Sequence, residues 1–250
     1  MKPKATRKRL DVLLVERGLA ESIQKAQGMI LAGEIRVAGT RADKAGMSVA
    51  AELRIEVSSR QGKYASRGGM KLEGALDDFG VEPAGRVCLD VGASTGGFTD
   101  CLLQHGAAKV YAVDVNVEQL DWKLRGDARV VRLERNAREL RTADIDENVA
   151  LVVADVSFIS VGKVLGPAAA VATAEADFLI LIKPQFEVRR EEVGPGGIVV
   201  GKELHEKAIA IVKQSAEAAG LECFGVKASR LTGAEGNQEY FLHARKKPQE

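Results

Sequence analysis

The chain is organised around residues 88–99, which run Cys88-Leu89-Asp90-Val91-Gly92-Ala93-Ser94-Thr95-Gly96-Gly97-Phe98-Thr99. The residues from Arg86 to Val91 predict a short buried strand, and the helix that follows is expected to begin near Phe98. Three glycines lie between them, where they allow a tight turn and let a ligand approach the bare backbone. A strand, a glycine-rich turn and a helix N-terminus are together typical of a cofactor pocket.

The spacing of the glycines narrows the kind of cofactor. Gly92, Gly96 and Gly97 do not form the G-x-G-x-x-G turn that binds a pyrophosphate. Phe98 stands where a phosphate-binding P-loop has its lysine. The pattern Asp-x-Gly-x-x-x-Gly instead resembles the first motif of S-adenosylmethionine-dependent methyltransferases, in which the acidic residue, here Asp90, faces the ammonium group of the cofactor. The strand and turn of another α/β domain would also fit, so residues elsewhere have to decide.

Further polar side chains end the predicted strands. Asp114 follows an apolar run, and its carboxylate could accept hydrogen bonds from both hydroxyls of a ribose, in a dinucleotide enzyme as well as in a methyltransferase. Asn136 follows the third strand, where it could contact an adenine edge or cap the loop. Asp155 and Lys183 end two fully apolar strands, which favour a parallel sheet covered on both faces. Groups at the carboxyl ends of such strands meet at one edge. The expected cofactor-binding residues are Asp90, Gly92, Ala93, Ser94, Thr95, Gly96, Gly97, Phe98, Asp114, Asn136 and Asp155.

Length and composition predict a cytoplasmic protein with a substantial core. The 250 residues, 46% of them hydrophobic, can form one large α/β domain or a medium and a small one. The most apolar region, residues 164–182, is interrupted by Gly166-Pro167 and two acids, so no membrane span is expected. No apolar segment of a secretory signal follows the basic N-terminus. The three cysteines and three histidines are scattered, so neither a disulfide nor a metal site is expected.

Charge is distributed unevenly along the chain. Residues 1–67 carry 14 Lys and Arg against 7 Asp and Glu, a net +7, whereas residues 68–250 carry 22 against 28, a net −6. The basic part also has a secondary-structure pattern. Leucines from Leu10 onward predict a short helix that ends near Gly18, and Ser22 is a suitable N-cap for a second helix. Alternating residues at 34–37 and 53–57 predict two strands.

The block from Arg9 to Val57 resembles the S4 RNA-binding domain. The resemblance rests on Arg9-Leu10-Asp11, on the helix end at residues 26–33 and on Glu34-Ile35-Arg36-Val37-Ala38-Gly39. It implies binding of structured RNA, because Lys and Arg that neutralise phosphates explain the positive charge. A small basic oligomerisation domain is the alternative. The residues expected to face RNA are Arg7, Lys8, Arg9, Arg17, Lys25, Arg36, Arg41 and Arg67.

The second domain is expected to span residues 68–250, after an S4-like domain at 1–60 and a polar linker at 61–67. It opens with a predicted helix from about Met70 to Phe79, in whose first turn Lys71 is disfavoured by the helix dipole. Near the C-terminus a glycine-rich loop precedes a helix at 203–219, a strand at 221–227 and a last, antiparallel strand at 238–244. The predicted fold class is therefore α/β.

Four side chains in this domain form a recognisable set. Lys71, Asp155, Lys183 and Glu239 resemble, position by position, the tetrad of the FtsJ-type 2′-O-ribose methyltransferases. With the S4-like block and the segments 64–72, 155–160, 182–187 and 236–240, the chain is similar to the TlyA family of ribosomal RNA methyltransferases. The resemblance implies a Rossmann-like class I methyltransferase domain, with a mostly parallel seven-stranded sheet whose last strand is antiparallel. It also implies S-adenosylmethionine as the cofactor and ribosomal RNA or ribosomal subunits as the partner. The implied reaction is methylation of a cytidine 2′-hydroxyl in the large subunit, and in some members in the small subunit too.

The chemistry of this reaction explains the residue types. A ribose 2′-hydroxyl is a poor nucleophile near neutral pH, so its attack on a sulfonium methyl group needs a positioned base and a group that stabilises the alkoxide. An ordinary lysine, with a pKa of about 10.4, is protonated. Two lysines in one partly desolvated site disfavour the second positive charge, so one amine can be neutral. Asp155 would orient Lys183, and Glu239 would hold Lys71 or the ribose, although the two lysines could exchange roles.

Other functions predict different residues. Amino-group methyltransferases carry [DN]-P-P-[YF] after the fourth strand, where this chain has Asp155-Val156-Ser157-Phe158. A C5 methyltransferase needs a cysteine at the strand edge, where the sequence has none. A non-catalytic ribosome-assembly factor would not need both lysines and both acids. A haemolysin, as some members of the family are named, would need an amphipathic or membrane-spanning segment, which the sequence does not predict.

Overall fold

The computed structural model describes residues 7–31, 35–42, 44, 46–57 and 63–248. The chain divides into two compact units, residues 1–62 and 63–250. The division falls within the predicted linker at 61–67, of which residues 61 and 62 lie outside the described residues. Tyr64 is buried among the residues of the second unit. We therefore place the start of that unit at Lys63, a few residues before the predicted boundary.

The first unit is a helix pair with short strands, as its sequence predicts. Its elements are β1 (Arg7–Arg9), α1 (Leu10–Glu16), α2 (Ile23–Leu31), β2 (Ile35–Val37), β3 (Thr40–Arg41), β4 (Ser48–Ala50) and β5 (Ile55–Val57). Strand β2 lies between β3 and β5, and β1 pairs with β4, all antiparallel. The Ser22 hydroxyl accepts a hydrogen bond from the Lys25 N–H at 3.1 Å, at the predicted start of α2. Leu10, Leu14 and Ile30 are fully buried between the elements. The predicted helix end at Gly33 and strand start at Glu34 lie outside the described residues.

The second unit alternates strands and helices. Its elements are α3 (Arg67–Phe79), β6 (Val87–Val91), α4 (Gly97–Gln104), β7 (Lys109–Asp114), α5 (Trp122–Arg125), β8 (Val130–Glu134), β9 (Val149–Ala154), α6 (Gly162–Val171), β10 (Ala172–Ile182), α7 (Pro184–Glu187), α8 (Lys202–Ala218), β11 (Leu221–Ala228) and β12 (Tyr240–Lys246). The strands form one seven-stranded sheet in the order β11-β12-β10-β9-β6-β7-β8. Strands β8, β7, β6, β9 and β10 are parallel, and β12 runs antiparallel to both of its neighbours. The predicted α/β fold with an antiparallel last strand is confirmed.

Both faces of this sheet are covered, which explains its uniformly apolar strands. Successive side chains of a strand point to opposite faces. Leu151 accordingly packs with residues of α3 and α4, while Val152 packs with residues of α6 and α8. All five parallel strands end at the same edge of the sheet. Whatever follows them in the chain is therefore brought to one place.

Three of the element bounds that differ from the sequence prediction concern the elements around the strand ends. Helix α3 begins at Arg67 rather than near Met70, because the Ser66 hydroxyl accepts a hydrogen bond from the Gly68 N–H at 3.3 Å and caps the helix earlier. Strand β10 begins at Ala172 and is longer than its apolar run predicts. Strand β12 begins at Tyr240, so Glu239 lies just before the strand rather than within it.

Candidate active site

A cavity of about 400 Å³ lies at the edge where the parallel strands end. Its walls come from the start of α3, the glycine-rich turn after β6, and the segments that follow β9 and β10. A loop before β12 closes another side. The lining residues are Ser66, Arg67, Gly68, Lys71, Gly92, Ala93, Ser94, Thr95, Gly97, Phe98, Asp155, Ser157, Lys183 and Ala234. Seven of the eleven residues predicted to bind a cofactor are among them.

The glycine-rich turn has a backbone that other residues would not adopt. Gly92 has a φ of +87° and Gly96 one of +92°, both in the left-handed region. A Cβ at Gly92 would clash with the carbonyl oxygen of Asp155, and one at Gly96 would clash with Leu124. Gly96 does not line the cavity; it shapes the turn from behind. The turn thus presents bare backbone to the cavity and suits the close approach of a ligand.

Asp90 lies beneath this turn rather than on the cavity wall. It is fully buried, and its Oδ2 accepts a hydrogen bond from the Thr99 hydroxyl at 2.6 Å. Burial raises the pKa of Asp90 to about 7. The sequence predicts that Asp90 faces the cofactor ammonium from the end of β6. In the structure this strand end is covered, and Asp90 is hydrogen-bonded to Thr99 of α4. A direct contact with the cofactor stays a prediction.

Two other predicted cofactor residues hold backbone turns. The Asp114 carboxylate accepts hydrogen bonds from the N–H of Ser94 at 2.9 Å and from that of Asn116 at 3.0 Å. Asp114 therefore orders the rim of the cavity through Ser94, and its proposed contact with a ribose stays a prediction. The Asn136 side chain accepts a hydrogen bond from the Arg138 N–H at 3.2 Å. This hydrogen bond is the predicted loop cap, and the contact of Asn136 with an adenine edge stays a prediction.

Lys71 and Glu239 form a buried ion pair, with 2.5 Å between Nζ and Oε2. Only 8% of Lys71 and 2% of Glu239 is exposed. Lys71 stands in the second turn of α3, where the helix dipole gives a cation no stabilisation. Glu239 supplies the opposite charge from the loop before β12. Lys71 lines the cavity, and Glu239 stands behind it.

Lys183 and Asp155 form the second ion pair of the cavity. Asp155 follows β9 and Lys183 follows β10, and these adjacent parallel strands bring the two side chains together. The Lys183 Nζ also donates a hydrogen bond to the Ser157 hydroxyl at 2.9 Å. Two lysines, each held by its own carboxylate, thus share one cavity. With one of the two amines uncharged, that arrangement can remove a proton from a substrate hydroxyl and stabilise negative charge on its oxygen.

Sequence reasoning missed several residues of the cavity. Ser66 and Gly68 belong to the turn that starts α3, and their spacing from Lys71 was the available signal. Ser157 stands two residues after Asp155, in a segment that the sequence marks only as a family motif. Ala234 lies in a loop without a periodic pattern. Arg67, predicted to face RNA, lines the cavity and donates a hydrogen bond to the Thr232 carbonyl at 3.4 Å.

Most of the predicted RNA-facing residues of the first unit have partners within that unit. Arg9 donates two hydrogen bonds to the buried carboxylate of Asp11, and the Arg9 guanidinium lowers the pKa of Asp11. The others with partners are Arg7 with Ser48, Lys8 with Glu16, Arg17 with two backbone carbonyls, and Arg36 with the Gly39 carbonyl. Lys25 and Arg41 are exposed. Their contact with RNA stays a prediction.

Among the described residues, no helix is both long and apolar enough to cross a membrane. In the same part of the chain, no group of three or more His, Cys, Asp and Glu side chains is arranged to hold a metal ion.

Two family models match the chain, FtsJ-like methyltransferase over residues 64–246 and S4 domain over residues 8–55. A protein of Mycobacterium tuberculosis named 16S/23S rRNA (cytidine-2′-O)-methyltransferase TlyA is 48% identical, over 96% of this chain and 91% of its own length. Hemolysin A of Brachyspira hyodysenteriae is 42% identical, over 94% and 98%.

Solved structures share the architecture. One from Streptococcus thermophilus, 38% identical, superposes with a TM-score of 0.73 over 98% of this chain and 90% of that chain. An S-adenosylmethionine-dependent methyltransferase from Mesorhizobium loti has a TM-score of 0.53 at 14% identity, over 69% and 96%, and shows the shared fold.

Proposed function

The chain belongs to the TlyA family of FtsJ-like methyltransferases with an S4 domain, and we propose that it methylates the 2′-hydroxyl of a cytidine in ribosomal RNA. The observation that carries this proposal is the pair of ion pairs, Lys71 with Glu239 and Lys183 with Asp155, at one cavity beside a glycine-rich turn. Two relatives at 48% and 34% identity bear names that specify this reaction. The modified nucleotide lies in the large subunit, and the first of those names adds the small subunit.

The cofactor of this family, S-adenosylmethionine, supplies an activated methyl group. The cavity fits it, because Gly92 and Gly97 line the cavity without side chains, and the missing Cβ of Gly92 lets this turn pack closely on the Asp155 carbonyl, the residue of the opposite wall. We assign Ser94 and Thr95, exposed on the rim, and Phe98, buried in the wall, to the binding of the cofactor. Asp114 orders this rim through the Ser94 N–H.

The residues of the chain have distinct roles in the reaction. The Lys183 amine, in its uncharged form, would take the proton of the 2′-hydroxyl, and the oxygen of that hydroxyl would accept the methyl group that the cofactor supplies. Asp155 holds Lys183 in place, and its negative charge balances the positive charge of Lys183 after the proton transfer. Lys71, held in place by the buried Glu239, stabilises the negative charge that develops on the oxygen.

The first unit supplies RNA affinity in this proposal. Residues 1–67 carry a net +7, and each cation at a phosphate adds affinity that falls with salt. Several of these cations are oriented by neighbours, as Arg9 is by Asp11. A ribosomal RNA substrate places the reaction in the cytoplasm.

Two other functions remain as alternatives. A ribosome-assembly factor that only binds RNA would not depend on the charges of Lys71 or Lys183. A haemolysin, as the Brachyspira hyodysenteriae relative is named, would act on membranes without S-adenosylmethionine. A vesicle-leakage assay with the purified protein tests the second directly.

The proposal is tested by mapping 2′-O-methyl groups in ribosomal RNA from cells with and without the gene. Complementation with wild type should restore one or a few cytidine modifications, and Lys183→Ala should not. The matched control is Lys202→Ala, since Lys202 is an exposed lysine at the start of α8. Identical methylation maps with and without the gene would refute the proposed reaction.

A further inference from the structure

We propose that Ser157 is a positioning residue that fixes the direction in which the Lys183 amine meets the ribose hydroxyl. The inference rests on the proposed function and deepens it. Ser157 lines the cavity, and its hydroxyl oxygen lies 2.9 Å from the Lys183 Nζ. Ser157 acts through Lys183.

The argument begins with the geometry of the Lys183 nitrogen. An amine nitrogen has four tetrahedral directions, of which one is the bond to its own side chain. Ser157 makes the directional contact, because its hydroxyl accepts a hydrogen bond from Nζ at 2.9 Å, whereas Asp155 is an ion-pair partner of the amine without hydrogen-bond geometry. The hydrogen bond to Ser157 fixes the rotation of the amine, and the Asp155 charge attracts a second proton. The remaining direction carries the third proton of the charged form and the lone pair of the neutral form.

Each contact contributes something different. The Asp155 carboxylate alone would leave the amine free to rotate about the bond between Cε and Nζ, and the lone pair would sweep through several directions. The Ser157 hydroxyl fixes that rotation. Lys183 itself is only 9% exposed, and the cavity is the open side it shares with Ser157. The remaining direction therefore serves the substrate.

The loop that carries Ser157 is held independently. The Glu187 carboxylate accepts hydrogen bonds from the Ser160 hydroxyl at 2.6 Å and from the Val161 N–H at 2.9 Å. Phe158 has a φ of +68°, a conformation that costs a non-glycine residue free energy and persists only where the surroundings enforce it. Glu187 ends α7, the helix that begins directly after Lys183. These two hydrogen bonds to Glu187 thus connect the segment that carries Ser157 with the segment that follows Lys183.

The test compares Ser157→Ala and Ser157→Thr with wild type in single-turnover methyl transfer to ribosomal subunits from cells that lack the gene, over a range of pH. Ser157→Ala should lower the plateau rate on the order of 10²-fold, the scale of a small misplacement of a reacting group. It should also move the half-maximal pH downward, because the lost oxygen favours the charged amine. Ser157→Thr keeps the hydroxyl and should restore most of the rate.

Cofactor affinity and a control variant separate positioning from a loss of structure. Ser157→Ala should bind S-adenosylmethionine as wild type does. Ser215→Ala removes a half-buried serine hydroxyl outside the cavity, which donates to the Ile211 carbonyl in α8 at 2.9 Å, and should leave rate and pH profile unchanged.

Several results would overturn the inference. Ser157→Ala could have the wild-type rate and half-maximal pH, or it could have lost its fold or its binding of S-adenosylmethionine. Ser157→Thr could be as slow as Ser157→Ala. A wild-type protein that methylates no ribosomal subunit would instead defeat the proposed function, and this inference with it.

Discussion

Lys71 and Glu239 lie 168 positions apart in the chain and meet as a buried ion pair, with Nζ and Oε2 2.5 Å apart. The pair joins the first helix of the second unit to the loop before its last strand. A cavity wall therefore depends on residues from both ends of this unit, and neither charge has bulk water as a substitute partner. Removing one charge should affect stability as well as chemistry.

Glu239→Ala should lower the free energy of unfolding of the second unit by about 3–5 kcal/mol, because it leaves the Lys71 ammonium buried without its partner. Denaturant unfolding of the full chain, followed by the transition of the second unit, measures this change. The double variant Lys71→Met, Glu239→Leu removes both charges and should recover much of the loss. Arg230→Ala breaks exposed ion pairs with Asp77 and Asp78 and should change stability far less. Equal effects of Glu239→Ala and Arg230→Ala would contradict the prediction.

Asp90 should make stability fall as the pH rises toward neutrality. Its pKa in the folded protein is about 7, against about 3.9 in an unfolded chain, so the folded state holds this proton more tightly. Unfolding then releases the proton between about pH 4 and 7, and stability falls across that window by at most about 1.4 kcal/mol per pH unit. Asp90→Asn cannot lose a proton there and should show a flatter curve. Parallel pH dependence in both proteins would rule out the buried, proton-binding Asp90.

Asp114→Ala should weaken the binding of S-adenosylmethionine by about 1.5–3 kcal/mol, the scale of a hydrogen bond to a charged group. Part of the loss comes from the Ser94 N–H, which would lose its acceptor on the rim of the cavity. RNA binding should be unchanged. Calorimetry measures the affinity, and Asp127→Ala is the control, because Asp127 binds Arg129 before β8. Wild-type cofactor affinity in a folded Asp114→Ala variant would sink the prediction.

A protein of residues 63–250 should bind S-adenosylmethionine but lose most of the salt-sensitive affinity for RNA. The physical reason is the charge distribution, since residues 1–62 carry 12 Lys and Arg against 7 Asp and Glu, a net +5, and residues 63–250 carry 24 against 28, a net −4. Binding of ribosomal RNA to the truncated and the full-length chain, each titrated with salt, measures the difference. If both chains bind RNA with the same affinity and the same salt dependence, the first unit has another task.

Strand ends were predictable because parallel strands are marked by apolar runs, and their carboxyl ends share one edge. Asp155 and Lys183 could therefore be placed together from the sequence. The burial of Asp90 could not, since it depends on how Thr99 in the next helix turns back over the strand end. The start of α3 depends on the hydrogen bond by which Ser66 caps the helix. The position of Ser157 depends on the next residue, Phe158, whose backbone has a left-handed conformation. Such local choices are decided by tertiary contacts, which leave no periodic signal.

The most direct test of the account compares Lys183→Arg with Lys183→Ala in single-turnover methyl transfer to ribosomal subunits. Arginine keeps the positive charge, but its guanidinium does not lose a proton in a protein, so it can stabilise an alkoxide and cannot serve as a base. Both variants should bind cofactor and RNA nearly as wild type does, and both should lose on the order of 10²- to 10⁴-fold in rate. A Lys183→Arg variant with a near-wild-type rate would contradict the account, because Lys183 would then act only through its charge.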